Sequence, residues 1–356
     1  MKTLQVKDLI PGMVIGADVY DSSGNLLFRT GTTVNEAAIT TLRSYYIYNV
    51  FVEDSSIPAT AEIQESTRSE QVKNSKEFRE FKARFEDVVS NVQVQINDIV
   101  ARNVNTLDTE ALLSQPMSLF QGRSPQSVFD MLHNLRSYDD TTYVHCINVS
   151  LISGILARWA GYPEEDIETA ILAGVLHDIG KLVIPEAIIK KPGRLTREEY
   201  EIIKNHTIEG FKILDSYDVN ENMKYAALMH HERCDGKGYP FQLQDYQINR
   251  FAKIVSIADV YDAMTSARCY RGPICPFEVI DIMMDEGLER YDAKLILTFL
   301  EHMGNTYLNN RVKLSDESEG EIIFVDSKYP SRPMIKFDNG KLLSLKNTDL
   351  RIKEIL

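Results

Sequence analysis

The period of the apolar positions changes along the chain, and each change marks a change of architecture. Over residues 11–54 short apolar runs (MVIGADVY, LLF, NVFVED) are separated by a turn at Ser22–Asn25 and a helical stretch from about Asn35 to Tyr48, the pattern of a small α+β module. Residues 54–75 hold few large apolar groups and many Ser, Thr, Glu and Gln, as linkers do. Phe78, Phe81, Phe85, Val88, Val92, Ile96 and Ile99 then recur at helical steps and make one apolar stripe on a long helix. Such a stripe suits either a coiled-coil seam between two copies, a homodimer through residues 78–99, or a face packed on the chain's own next domain. From about Pro116 to Gly304 the period stays helical, and Thr196 with Glu199 forms a capping box that opens the helix carrying His206. Beyond Arg311 the runs VKLS, EIIFV, MIKF and LLSLK alternate, with a hairpin expected at Asp338–Gly340. The expected fold class is mainly α. It comprises a small α+β N-terminal module (1–54), a linker (55–75), a long connecting helix (76–115), an all-helical domain (116–305) and a small β-rich C-terminal appendage (306–356).

Composition narrows the function classes. Of 356 residues, 44% are hydrophobic and 26% charged, as in ordinary globular proteins, and no apolar run reaches the roughly 18 residues that a membrane span needs. The start MKTLQVKDL lacks the apolar core of a signal peptide, so a cytoplasmic location is expected. Cys146, Cys234, Cys269 and Cys275 show no metal-knuckle spacing and read as reduced thiols. A net charge of −13 argues against DNA as a partner, so an anionic ligand would need positive charge supplied locally.

The candidate chemistry lies in the helical domain. His145, His177, His206, His230 and His231 all fall there, with Asp178 directly after His177 and Asp259 inside an otherwise apolar helical face. A buried, unpaired carboxylate is costly, and a divalent metal is one partner that relieves it. Neighbours on a helix point about 100° apart, so His177 and Asp178 converge poorly unless the carboxylate bridges two ions. Five imidazoles and two carboxylates are too many for one ion and suit two ions of the iron, manganese or zinc kind. Lys181, three residues from Asp178, adds a cation that fits an anionic substrate. His133 and His302 lack such context and read as structural.

The segments LHDIGKLVIP, KKPGRLTREEYEIIKNH, HHERCDGKGYP and IADVYDAMTSARCYR resemble, in order, the signatures of HD-GYP domains, a bacterial branch of the HD metal-dependent phosphohydrolases. The resemblance covers roughly residues 125–305. It implies an all-helical fold, a binuclear or trinuclear metal site with iron or manganese, and hydrolysis of cyclic di-GMP to pGpG or GMP. It further implies that His145, His177, Asp178 and Asp259 hold one ion and that Asp178, His206, His230 and His231 hold the other. Lys181 matches a lysine that contacts substrate phosphate, Arg268 and Arg271 match basic positions that contact the dinucleotide, and Tyr239 matches the GYP tyrosine. Some members place a Glu where this chain has Thr141 to support a third ion, so two ions are expected here.

The expected mechanism is attack on phosphorus by a metal-activated hydroxide, with the ions and Lys181 stabilising the developing charge. Gly236 and Gly238 are expected to let the chain turn tightly, and the Tyr239–Pro240 loop to meet nucleotide or a protein partner. Competing readings are a phosphodiesterase for another cyclic dinucleotide such as cyclic GMP-AMP, a nucleotide phosphohydrolase of the wider HD group, and a non-catalytic receptor or interaction module.

Overall fold

The computed structural model describes residues 2–6, 9–20, 26–44, 47, 49–53, 68–135, 142–191, 193–266 and 274–356. It divides into two units, Met1–Ser66 and Thr67–Leu356. The first unit runs β1 (Lys2–Gln5), β2 (Val19–Tyr20), β3 (Leu26–Phe28), α1 (Glu36–Ser44) and β4 (Asn49–Val52), with β1 paired to β4 and β2 to β3, both antiparallel. Its own small core gathers Met13, Ile15, Val34, Leu42, Val50 and Val52.

The second unit opens with α2 (Arg68–Asn74), α3 (Lys76–Val100), α4 (Thr109–Phe120), α5 (Pro125–Leu135), α6 (Thr142–Trp159) and α7 (Glu164–Leu176). A 3-10 turn over Ile179–Val183 leads to α8 (Glu186–Ile189), α9 (Arg197–Lys204), α10 (His206–Asp215) and α11 (Glu221–Met229). Next come α12 (Arg250–Thr265), α13 (Pro276–Arg290) and α14 (Ala293–Thr306). Helix α6 buries an unbroken run from Cys146 to Ala157, and α7 one from Thr169 to Leu176. Helices that are apolar all round belong at the centre of a domain, and α6 packs there on α7 and α12.

Every residue of the α3 stripe is buried, and all join the core that α6 and α7 build. The dimer seam through 78–99 is therefore corrected: the stripe is covered by the chain's own helices α4, α5 and α6. The linker expected over 55–75 lies partly outside the described residues, and α2 occupies its last part.

The chain ends in β5 (Arg311–Leu314), β6 (Glu319–Asp326), β7 (Tyr329–Lys336), β8 (Leu342–Ser344) and β9 (Ile352–Ile355), an antiparallel sheet in the order β8-β7-β6-β5-β9. The expected hairpin is present: Lys336 faces Leu342, and Gly340 turns at φ +79° while its N–H donates to the Phe337 carbonyl at 2.8 Å. The sheet is more than an appendage, because Val312, Leu314, Ile322 and Ile335 enter the helical core and Arg332 donates to Asp281 of α13 at 3.0 Å. Among the described residues no helix is long and apolar enough to cross a membrane, and Cys146, Cys234 and Cys275 are free thiols.

Candidate metal centre

Five of the seven expected ligands, His177, Asp178, His206, His230 and His231, arrive from helix ends, while His145 lies within α6 and Asp259 within α12. Helix α7 stops at Leu176, so His177 is its C-cap and Asp178, at φ −103° and ψ 11°, has left helical geometry. Adjacent side chains that a helix would splay can thus converge, and the 3-10 turn that follows carries Lys181 back onto Asp178, to which its ammonium donates. Helix α11 likewise stops at Met229, with His230 as its C-cap. The capping box is present, with the Glu199 N–H donating to Thr196 Oγ1 at 3.2 Å and the Thr196 N–H to Glu199 Oε2 at 2.7 Å. The helix it opens ends at Lys204, however, and His206 begins the next one, α10.

The same device ends each of these helices. The imidazole Nδ1 of His177 meets the Gly174 carbonyl at 2.7 Å, that of His206 the Ile203 carbonyl at 2.6 Å, and that of His230 the Ala227 carbonyl at 2.9 Å. Each carbonyl lies in a last turn, where helices leave acceptors without an intrahelical donor. A carbonyl only accepts, so Nδ1 must carry the proton and Nε2 must present its lone pair inward. His145 sits inside α6, where carbonyls are already used, and its Nδ1 pairs instead with Asp262 Oδ2 at 2.8 Å.

The lone pairs converge on two points. The ligand atoms of Asp178, His206, His230 and His231 lie within 4.8 Å of one another, as do those of His145, His177 and Asp259. Asp178 faces both groups: Oδ1 lies 3.3 Å from His206 Nε2 and 3.7 Å from His230 Nε2, while Oδ2 lies 3.6 Å from His145 Nε2 and 3.3 Å from His177 Nε2. Asp259 repeats this, with Oδ1 at 3.1 Å from His145 Nε2 and Oδ2 at 3.9 Å from His231 Nδ1.

These residues fit divalent ions on the structure's own terms. His177 Nε2 and Asp178 Oδ1 are buried without a hydrogen-bond partner, which is costly unless a cation takes them. His206 Nε2 and His230 Nε2 stand 3.3 Å apart although both Nδ1 atoms hold the protons, so two lone pairs meet where a cation would reconcile them. Burial keeps His177 and His231 neutral and pushes His206 down to about 3. It also opposes the charge on Asp178 and Asp259, but the Lys181 ammonium beside Asp178 and the His145 ring bonded to Asp259 hold the two carboxyls well below their usual range. His145 is the exception: burial works against its proton, yet Asp259 and Asp262 raise it to about 9.

Tyr239 stacks on His231, ring centroids 4.6 Å apart at 27°, which puts the tyrosine against the metal-ligand cluster. Its loop is held from below by Glu232, buried at 3% exposure, which accepts from the Phe241 N–H at 2.6 Å and the Leu243 N–H at 2.9 Å. The two glycines of the loop differ from their common expectation. Gly236 does turn, at φ +72°, but Gly238 is needed for close approach: a Cβ there would meet the Arg233 nitrogen at 2.4 Å and the His231 carbonyl oxygen at 2.6 Å. Arg268, Arg271 and Thr141 lie outside the described residues. His133 and His302 take structural partners, Tyr307 and Trp159. Sequence reasoning missed Asp262 and Glu232. Asp262 was signalled by its place one turn after Asp259 on the same apolar helix, whereas nothing in the pattern distinguishes Glu232 from a solvated acid.

A family model described as HD domain matches residues 111–295. A cyclic di-GMP phosphodiesterase of Pseudomonas aeruginosa is 33% identical over 60% of this chain and 51% of its own. One from Thermotoga maritima is 42% identical over 41% of this chain and 40% of its own. A 3'3'-cGAMP-specific phosphodiesterase of Vibrio cholerae is 31% identical over 54% of this chain and 37% of its own. The chain thus spans about half or less of the length of these curated relatives. Among solved structures, an HDG"Y"P protein of Bdellovibrio bacteriovorus shares the fold, with a TM-score of 0.52 at 17% identity over 84% of this chain and 97% of that one.

Proposed function

Since the chain belongs to the HD domain family, whose model spans more than half of it, we propose that the centre binds two divalent metal ions and hydrolyses a phosphodiester bond of cyclic di-GMP. The observation that carries this reading is the Asp178 carboxylate, with one oxygen facing His206 and His230 and the other facing His145 and His177. In this reading His145, His177, Asp178 and Asp259 hold one ion, and Asp178, His206, His230 and His231 the other. The imidazole and carboxylate donors suit iron or manganese. Bound ions of this kind supply Lewis acidity and a water acidified towards neutral pH.

The protein's own groups do the rest. Lys181 stays protonated: burial works against its charge, but Asp178 and Asp259 outweigh it, so an ammonium stands ready for a phosphate oxygen. Tyr239 keeps its hydroxyl proton because burial disfavours the phenolate, so it can donate to substrate but not accept a proton from it. Names of relatives support a second substrate, cyclic GMP-AMP, on the same chemistry.

Anaerobic purification with metal quantification, then chromatography of the products from cyclic di-GMP, tests the proposal. Two metals per chain and formation of pGpG or GMP are expected, with both lost in His177→Ala and Asp178→Ala proteins. Full activity in either variant would remove the metal assignment, and bound but intact nucleotide would turn the reading towards a receptor.

A further inference from the structure

Helix α9 delivers more than a route to His206. Tyr200 and Lys204 stand one turn apart on it, so they share a face. Tyr200 is 48% exposed, a large amount for an aromatic ring beside a buried centre, and its ring meets Tyr239 edge-on with centroids 6.4 Å apart at 73°. Lys204 Nζ lies 5.3 Å from the Tyr200 centroid and 5.9 Å from that of Tyr239, and its other contact is Glu201 at 2.7 Å, a carboxylate that is itself exposed. Tyr239 in turn stacks on His231. An aromatic series therefore leads from the ligand cluster to solvent, with one ammonium at its face.

We propose that Tyr200 and Lys204, together with Tyr239, form a guanine-binding wall beside the metal centre. The inference rests on the reading above that the substrate is a guanine-containing cyclic dinucleotide. A flat base gains from stacking on such rings, whatever its sequence context. An ammonium has donors only, which matches the O6 and N7 acceptors on one edge of guanine and conflicts with the N6 amino donor of adenine. The ions would take the scissile phosphate, and the wall would fix which base lies next to it.

The test compares Tyr200→Leu, Tyr200→Phe and Lys204→Met with the parent protein on cyclic di-GMP and on bis(p-nitrophenyl) phosphate, a small diester without bases. The Leu and Met variants should raise KM for cyclic di-GMP about tenfold and lower the ratio of the two kcat/KM values by the same factor, while Tyr200→Phe stays near the parent. A fall of both substrates together, or a ratio within about twofold of the parent, would overturn the wall. A parent that cleaves the small diester but not cyclic di-GMP would overturn guanine as its ligand. One that cleaves neither would overturn the proposed function itself.

Discussion

At the scale of single residues, the tautomers decide the chemistry. Asp262 is the partner that turns His145 Nε2 towards Asp259 and Asp178, so Asp262→Asn should weaken metal retention by ~10–100-fold, read by metal content after dialysis against graded chelator. Retention equal to the parent would deny it that role. The metal-free protein should also have an uneven pH profile. His145, raised to about 9 from an ordinary 6.5, contributes stability that is complete below pH 6.5 and lost as pH climbs to 9. His206, pushed down to about 3, works the other way: the unfolded chain binds the extra proton below 6.5, so stability falls as pH drops. The melting temperature of metal-free protein is thus expected to peak near pH 6.5, and a monotonic scan would refute it. The seven ligand candidates were legible because histidines are scarce in this chain and most sit beside an acid or another histidine. Their carbonyl tethers were not, since a backbone acceptor leaves no mark in the sequence.

At the scale of elements, the centre depends on how closely helix ends approach. A Cβ on Gly180 would meet the His206 carbonyl oxygen at 2.0 Å and the Gly210 nitrogen at 2.4 Å, both backbone atoms that cannot swing aside. Gly180→Ala should therefore push the 3-10 turn off α10, cost about 1–3 kcal/mol in a denaturant titration and lower metal content together with stability. Undiminished metal content would mean that the turn can shift without moving Asp178. Helix existence was legible from the period of the apolar residues. Their ends were less so: nothing in EIIKNHTIEG marks Asn205 as a boundary, because the break reflects the His206 ring taking the Ile203 carbonyl.

At the scale of the whole molecule, the α3 stripe shows what periodicity leaves open. Apolar spacing specifies that a face is buried, and only the tertiary structure says against what. Phe81, fully buried in the core shared with α6, should cost about 3–5 kcal/mol as Phe81→Ala, with a melting temperature independent of protein concentration. A concentration-dependent loss would restore the seam between copies. The C-terminal strands were equally legible as strands, while their share in the helical core was not.

Asp178 turns one oxygen to each ligand group, so in the proposed two-ion centre it would tie the fates of the two ions together. A centre that works only when doubly loaded would gain activity with roughly the square of the free ion concentration while metal is scarce. Such a protein would gauge metal supply as well as nucleotide, and a modest shortage of ion would silence it long before its fold was lost.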